Sequence, residues 1–195
     1  MYRIEYVKEI GIFTKFNILM IAILFHANIL NASVYDDDIL NIYSKMLPRF
    51  IVMSSQKAKI KNNLEICVLY DKIDERTASS LIDKINSNYP HGISEFGIKV
   101  VQSSYTKLDV CQTSQLAFMF NSDETNIKNA ILFLNKENIL SMSYDESLLE
   151  NGVEISLFIG RKVIPHINMK AIIQNKIELD NMLLRVSKIY MENSK

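Results

Sequence analysis

"VEISLFIGRKVIPHINMKA", residues 153–171, is the stretch whose reading decides the fold. Two apolar, β-branched runs, 153–159 and 162–167, are separated by Gly160-Arg161. Glycine at the first central position of a two-residue link predicts a hairpin with a type II′ turn. Arg161 and Lys162 are then ordinary exposed turn charges. Pro165 cannot donate to a ladder, so the second strand is expected at a sheet edge or bulge there. After Asn168 the apolar residues Ile172, Ile173, Ile177, Leu179, Leu183, Val186 and Tyr190 predict one long helix with a broad apolar stripe. Asn168 is placed to cap that helix, its side-chain oxygen accepting from the free amides of the first turn. His166 reads as a surface histidine on the edge strand.

Upstream, short apolar runs alternate with helical patterns. "DDDILNIYSKMLPRFIVMS" (36–54) carries apolar residues at 39, 40, 43, 46, 47 and 50, one face of a helix. The Asp run supplies its cap and favourable first-turn charge. Pro48 predicts a kink or break. The apolar face of this helix is a candidate contact surface for a partner, or else packs on the sheet. "LEICVLY" (64–70), "GIKVVQS" (97–103), "QLAFMFN" (115–121) and "ILSMSY" (139–144) read as strands. Helices are expected over 74–88, with Ala78, Leu81, Ile82 and Ile85 inward, and over 122–138, capped by Ser122 or Asp123. "YPHGI" (89–93) is a turn. This alternation predicts a single-domain α/β sandwich. Its sheet is mixed but largely parallel, flanked by helices and closed by a C-terminal β-hairpin and a long helix.

The chain has 195 residues, 48% hydrophobic and 23% charged, with a formal net charge of zero. That composition is globular. The charges are not gathered into a basic block, which argues against a nucleic-acid surface. At the N-terminus Arg3, Lys8 and Lys15 precede an apolar run, then "LNAS" and "YDDD". This is the layout of a secretory signal peptide, residues 1–32, cut after Ala32. The alternative is an uncleaved anchor, although Phe16–Leu30 is short for roughly 30 Å of hydrocarbon. Export to the periplasm would place Cys67 and Cys111 in an oxidising space, where an even number of cysteines favours a disulfide. Two buried free thiols are the other reading.

Signatures of chemistry are sparse. The five glycines form no phosphate-binding loop, and no serine elbow is present. His91 lies in a Pro-His-Gly turn, and no carboxylate or thiol falls at ligand spacing from it or from His166. No catalytic residue, metal or cofactor is therefore assigned. Asp71 and Asp74 follow the strand 64–70, at the usual ligand edge of an α/β sheet. They could serve a solute-binding accessory protein, or simply a solvated loop and helix cap.

The segment from Gly152 to Tyr190 resembles the closing segment of the YfiR-like family of periplasmic proteins. Gly152, Ile155, Gly160, Val163, Ile167, Asn168, Ala171, Leu183 and Leu184 carry the resemblance. "LEICVLY" and "LDVCQTSQLAFMF" are similar to the family's two cysteine-bearing strands, which implies a Cys67–Cys111 bridge and a domain over 33–195. The resemblance implies a regulator without catalysis. Such a protein binds and restrains the periplasmic part of a membrane diguanylate cyclase or histidine kinase, its disulfide state linked to activity and its output read in cyclic di-GMP and biofilm. A homodimer is compatible with that role.

Overall fold

A computed structural model describes residues 35–190. The expected signal peptide, residues 1–32, lies outside them. Seven strands are present among the described residues: β1 (Asn63–Tyr70), β2 (Gly97–Ser104), β3 (Leu116–Met119), β4 (Leu140–Ser143), β5 (Ile155–Ile159), β6 (Val163–Ile167) and β7 (Lys188–Ile189). They form one sheet in the order β2-β1-β3-β4-β5-β6-β7. Every pairing is parallel except the β5–β6 hairpin. The α/β class with a mixed, largely parallel sheet is thus the observed one. Strands covered on both faces need apolar residues at consecutive positions, and Ile66, Cys67, Val68 and Leu69 of β1 are all fully buried.

Alternation along the strands sorts the core into two layers. On one face Leu64, Ile66, Val68, Leu116, Phe118, Leu140, Met142, Ile155, Leu157 and Ile167 pack against α1 (Asp37–Val52) and α2 (Glu75–Asn88). On the other, Cys67, Leu69, Ala117 and Met119 pack against Ile127, Ala130, Ile131 and Leu134 of α3 (Glu124–Lys136). Each long helix begins where its sequence says it should. Asp36 caps α1 by accepting from the Asp38 and Ile39 amides, and Asp123 caps α3 by accepting from Asn126. The apolar face of α1 is spent on the sheet: Leu40, Tyr43, Leu47, Phe50 and Ile51 are at most 2% exposed. It is packing, not a free contact surface. Among the described residues no helix is long and apolar enough to cross a membrane.

Four expectations are corrected. First, α1 runs unbroken through Pro48. A proline there removes only the bond to the carbonyl of Ser44, and burial of the surrounding turn holds the helix together. Second, the link between β5 and β6 is not a two-residue type II′ turn. Ile159 pairs with Val163, so three residues, Gly160 to Lys162, form the connection, and Gly160 does not take the positive φ that type II′ demands. Third, the long C-terminal helix is two short ones, α4 (Met169–Gln174) and α5 (Asn181–Val186), followed by β7. Lys176 adopts φ 54°. The Ile177 amide then reaches back to the Ile172 carbonyl at 3.0 Å and the Lys176 amide to Ile173 at 3.1 Å. This is a Schellman stop, sealed by the buried pair Ile172 and Ile177. Ile173 and Val186, expected inward, are 70% and 59% exposed.

The fourth correction concerns His166, which is 6% exposed rather than on the surface. Pro165 itself behaves as expected. β6 pairs with β7 only through His166 and Ile167, so the outer flank of β6 at Pro165 has no strand partner. The Asn168 amide bonds inward to Glu154, and the Ile167 carbonyl bonds outward to Tyr190. By the same alternation the missing Pro165 donor points outward, where nothing needs it.

Candidate functional site

Cys67 and Cys111 are bonded, with Cα atoms 5.4 Å apart and a sequence separation of 44. Both are fully buried. Cys67 lies in the middle of β1, but Cys111 is not on a strand. It ends a 3-10 turn, Leu108–Cys111, that precedes β3. The bridge therefore fastens the β2–β3 connection to the second face of the sheet. On the chain-entropy account a loop of this size is worth about 4 kcal/mol.

The same face changes character across the sheet. Beyond β3 its inward positions are polar: Ser141 and Ser143 on β4, Glu154 and Ser156 at β5, His166 on β6, and Asn168. All are at most 8% exposed. Burying so many polar groups is tolerable only if each has a partner, and the bonds are present. Asn168 caps α4 by accepting from the Ala171 amide at 3.1 Å. Its amide nitrogen donates to the Leu149 carbonyl at 2.9 Å, so the cap also pins the turn Glu146–Asn151. Ser156 donates to the Ser143 carbonyl, and Ser143 to that of Asp145.

Glu154 is the centre of this half. Its carboxylate accepts from the Ser141 amide at 2.5 Å, the Ser141 hydroxyl at 2.9 Å and the Asn175 side-chain amide at 2.7 Å. Burial pushes its pKa up to about 7, against the opposing pull of those three donors and the charge of Lys59. Beside it, His166 bonds Glu146 through Nδ1 and stacks on Phe158 with ring planes 8° apart. No sequence signal marked Glu154 or Glu146. Alternation alone labels Glu154 a solvent-facing strand position, and its side-chain partners, Ser141 and Asn175, come from segments 13 and 21 residues away. Among the described residues no group of three or more His, Cys, Asp or Glu could hold a metal ion. His91 is exposed in the turn after α2.

At the carboxyl ends of the strands, Asp71 and Asp74 follow β1. Asp74 accepts from the hydroxyl of Tyr35 at 3.2 Å. An aromatic cluster of Tyr35, Tyr43, Phe118, Phe120 and Tyr144 fills the space behind it. Surface cavities among the described residues lie elsewhere. One of about 270 Å³ is lined by Asn168, Lys170, Gln174 and Glu150 among others. One of about 400 Å³ opens at the amino ends of the strands, beside Lys59, Glu65, Gln115 and Glu137.

The fold is shared with solved structures. A conserved domain protein from Vibrio cholerae O1 biovar El Tor superposes with a TM-score of 0.58 at 12% identity, covering 77% of this chain and 59% of that one. The ABC domain from Streptococcus pneumoniae, solved in complex with L-Trp, superposes with a TM-score of 0.54 at 8% identity, covering 76% of this chain and 60% of that one. At these identities the likeness is one of fold alone, and the chain spans about 60% of the length of either structure. No curated protein matches it. A family model described as YfiR/HmsC-like does match, over residues 43–188, and by that match the chain belongs to the YfiR/HmsC-like family.

Proposed function

We propose that this protein is a periplasmic regulator that binds the periplasmic part of a membrane signalling enzyme, a diguanylate cyclase or a sensor kinase, and holds it inactive. Family membership over residues 43–188 is the observation that carries the reading. The bonded Cys67–Cys111 pair supports an oxidising compartment, since such bonds persist there and not in the cytosol. In this reading the protein performs no chemistry of its own. It shifts its partner's equilibrium by binding the inactive conformer more tightly than the active one, because equal affinity shifts nothing. Reduction would act through stability, by removing the cross-link that ties the β2–β3 connection to β1.

The test is a deletion strain in which cyclic di-GMP is measured, with in-cell cross-linking to identify the partner. The expected result is a raised second-messenger level, restored by the wild-type gene, and a cross-link to a membrane protein with a periplasmic domain. An unchanged level together with no such cross-link overturns the proposal. A solute-binding accessory protein would instead show its ligand as a raised melting temperature in a metabolite screen.

A further inference from the structure

The strand order reverses direction between β1 and β3: β2 lies outward of β1, while β4, β5 and β6 extend from β3. The chain leaves β1 for α2 on one face and leaves β3 for α3 on the other. Where two such connections diverge, an open α/β sheet has a crevice at the carboxyl ends of its strands, the position where ligands of this architecture bind. In this protein the crevice is filled by Tyr35.

The seat is complementary to a phenol at every point. The ring of Tyr35 is 7% exposed. It meets Phe120 and Tyr144 edge-on, each with centroids 4.7 Å apart. Its hydroxyl donates to Asp74 Oδ2 at 3.2 Å and accepts from the Asn121 amide at 3.1 Å. Asp74 is positioned as the N-cap of α2 yet makes no capping bond with its side chain, although capping is the usual use of an aspartate there. Its carboxylate faces the phenol instead. Tyr35 belongs to no helix or strand; it comes immediately before Asp36, the cap of α1, whose amide bonds the Tyr144 hydroxyl at 3.1 Å. The occupant thus stands just outside the first helix, while its seat is built from the loops that follow three strands.

We propose that the β1–β3 crevice is a binding site for small hydroxyaromatic molecules, closed in cis by Tyr35, so that ligand entry and departure of the Tyr35 side chain are one event. The proposal does not depend on the identity of a regulatory partner.

The test uses the exported chain with Tyr35→Ala, and 4-methylphenol as probe with toluene as control, followed by calorimetry and thermal shift. 4-Methylphenol is expected to bind the variant and raise its melting temperature. Toluene, which fills the same volume without a hydroxyl, should bind roughly tenfold or more weakly, because it leaves the Asn121 amide and Asp74 unpaired. Adding Asp74→Ala should weaken that preference, leaving only the Asn121 amide to favour the hydroxyl. Wild-type protein should bind more weakly than Tyr35→Ala, in proportion to the fraction of time the Tyr35 side chain is out of the crevice. A folded Tyr35→Ala that ignores 4-methylphenol, or that binds toluene equally well, overturns the proposal. Should the variant not fold, hydrogen exchange of the Asn121 amide in the wild type decides. Exchange through a local, denaturant-independent opening supports a releasable Tyr35, and exchange only through global unfolding overturns it.

Discussion

The side-chain amide of Asn175 donates to the buried carboxylate of Glu154 across 2.7 Å, tying the end of α4 to the start of β5. Glu154 is fully buried, and its pKa is raised by that burial from 4.5 to about 7. The folded protein therefore keeps a proton that the unfolded chain releases above pH 4.5. Stability from this group is complete below that pH, falls as pH rises from 4.5 to 7, and is level above. The loss across the window is about 3 kcal/mol. Glu154→Gln cannot titrate. Urea midpoints measured from pH 5 to 8 should show a downward slope in the wild type that is absent in Glu154→Gln, whatever the variant's absolute stability. Parallel pH profiles would show that Glu154 is not the titrating group.

The disulfide makes a second prediction. Cys67→Ala combined with Cys111→Ala should lower the unfolding free energy by roughly 4 kcal/mol, from the loss of a 44-residue cross-link. Because both sulfurs are buried, a reductant should act slowly on folded protein and quickly on unfolded protein. Reduced wild type and the double variant should then unfold at the same urea concentration, read by circular dichroism.

The parts legible in sequence are those where one residue's chemistry fixes one local outcome. Asp36 and Asp123 begin helices, Pro165 marks a flank that needs no donor, and the apolar runs around Ile66 and Phe118 are buried on both faces. The alternation of strand and helix then leads to the sheet. What sequence could not reveal depends on residues far apart. Glu154 and His166 alternate with Ile155 and Ile167, as they would on a half-exposed strand, and the partners that receive them inside, Asn175 for Glu154 and Glu146 for His166, lie about 20 residues away. Ile172 and Ile177 lie five apart, a spacing that merges into a helical stripe but in fact belongs to a Schellman seal. Tyr35 gives no signal at all, since its partners Asp74, Asn121 and Tyr144 lie 39 or more residues away.

That seal leads to a third prediction. Lys176 is exposed and holds φ 54°, a left-handed conformation that costs a residue with a Cβ and suits glycine. Lys176→Gly should raise stability by about 0.5–1 kcal/mol. Lys176→Val, β-branched and less tolerant of positive φ, should lower it by a similar amount or more. Thermal unfolding of the three proteins at one pH ranks them. A glycine variant less stable than wild type would show that the α4 terminus is held by something other than this stop.

Asn168 tests how the polar half of the face is held together. Its side chain serves two clients, the Ala171 amide as acceptor and the Leu149 carbonyl as donor. Asn168→Ala removes the cap, worth about 1 kcal/mol, and leaves the Leu149 carbonyl buried without that donor, about 1–3 kcal/mol more. The expected total is roughly 2–4 kcal/mol by urea unfolding. Asn168→Asp keeps the acceptor but has no amide donor and places a carboxylate close to a carbonyl oxygen. It should therefore recover less than half of the loss at neutral pH, and more of it in acid, where a protonated carboxyl can donate to Leu149. Full recovery by aspartate at neutral pH would mean that the cap matters and the cross-link to the turn Glu146–Asn151 does not.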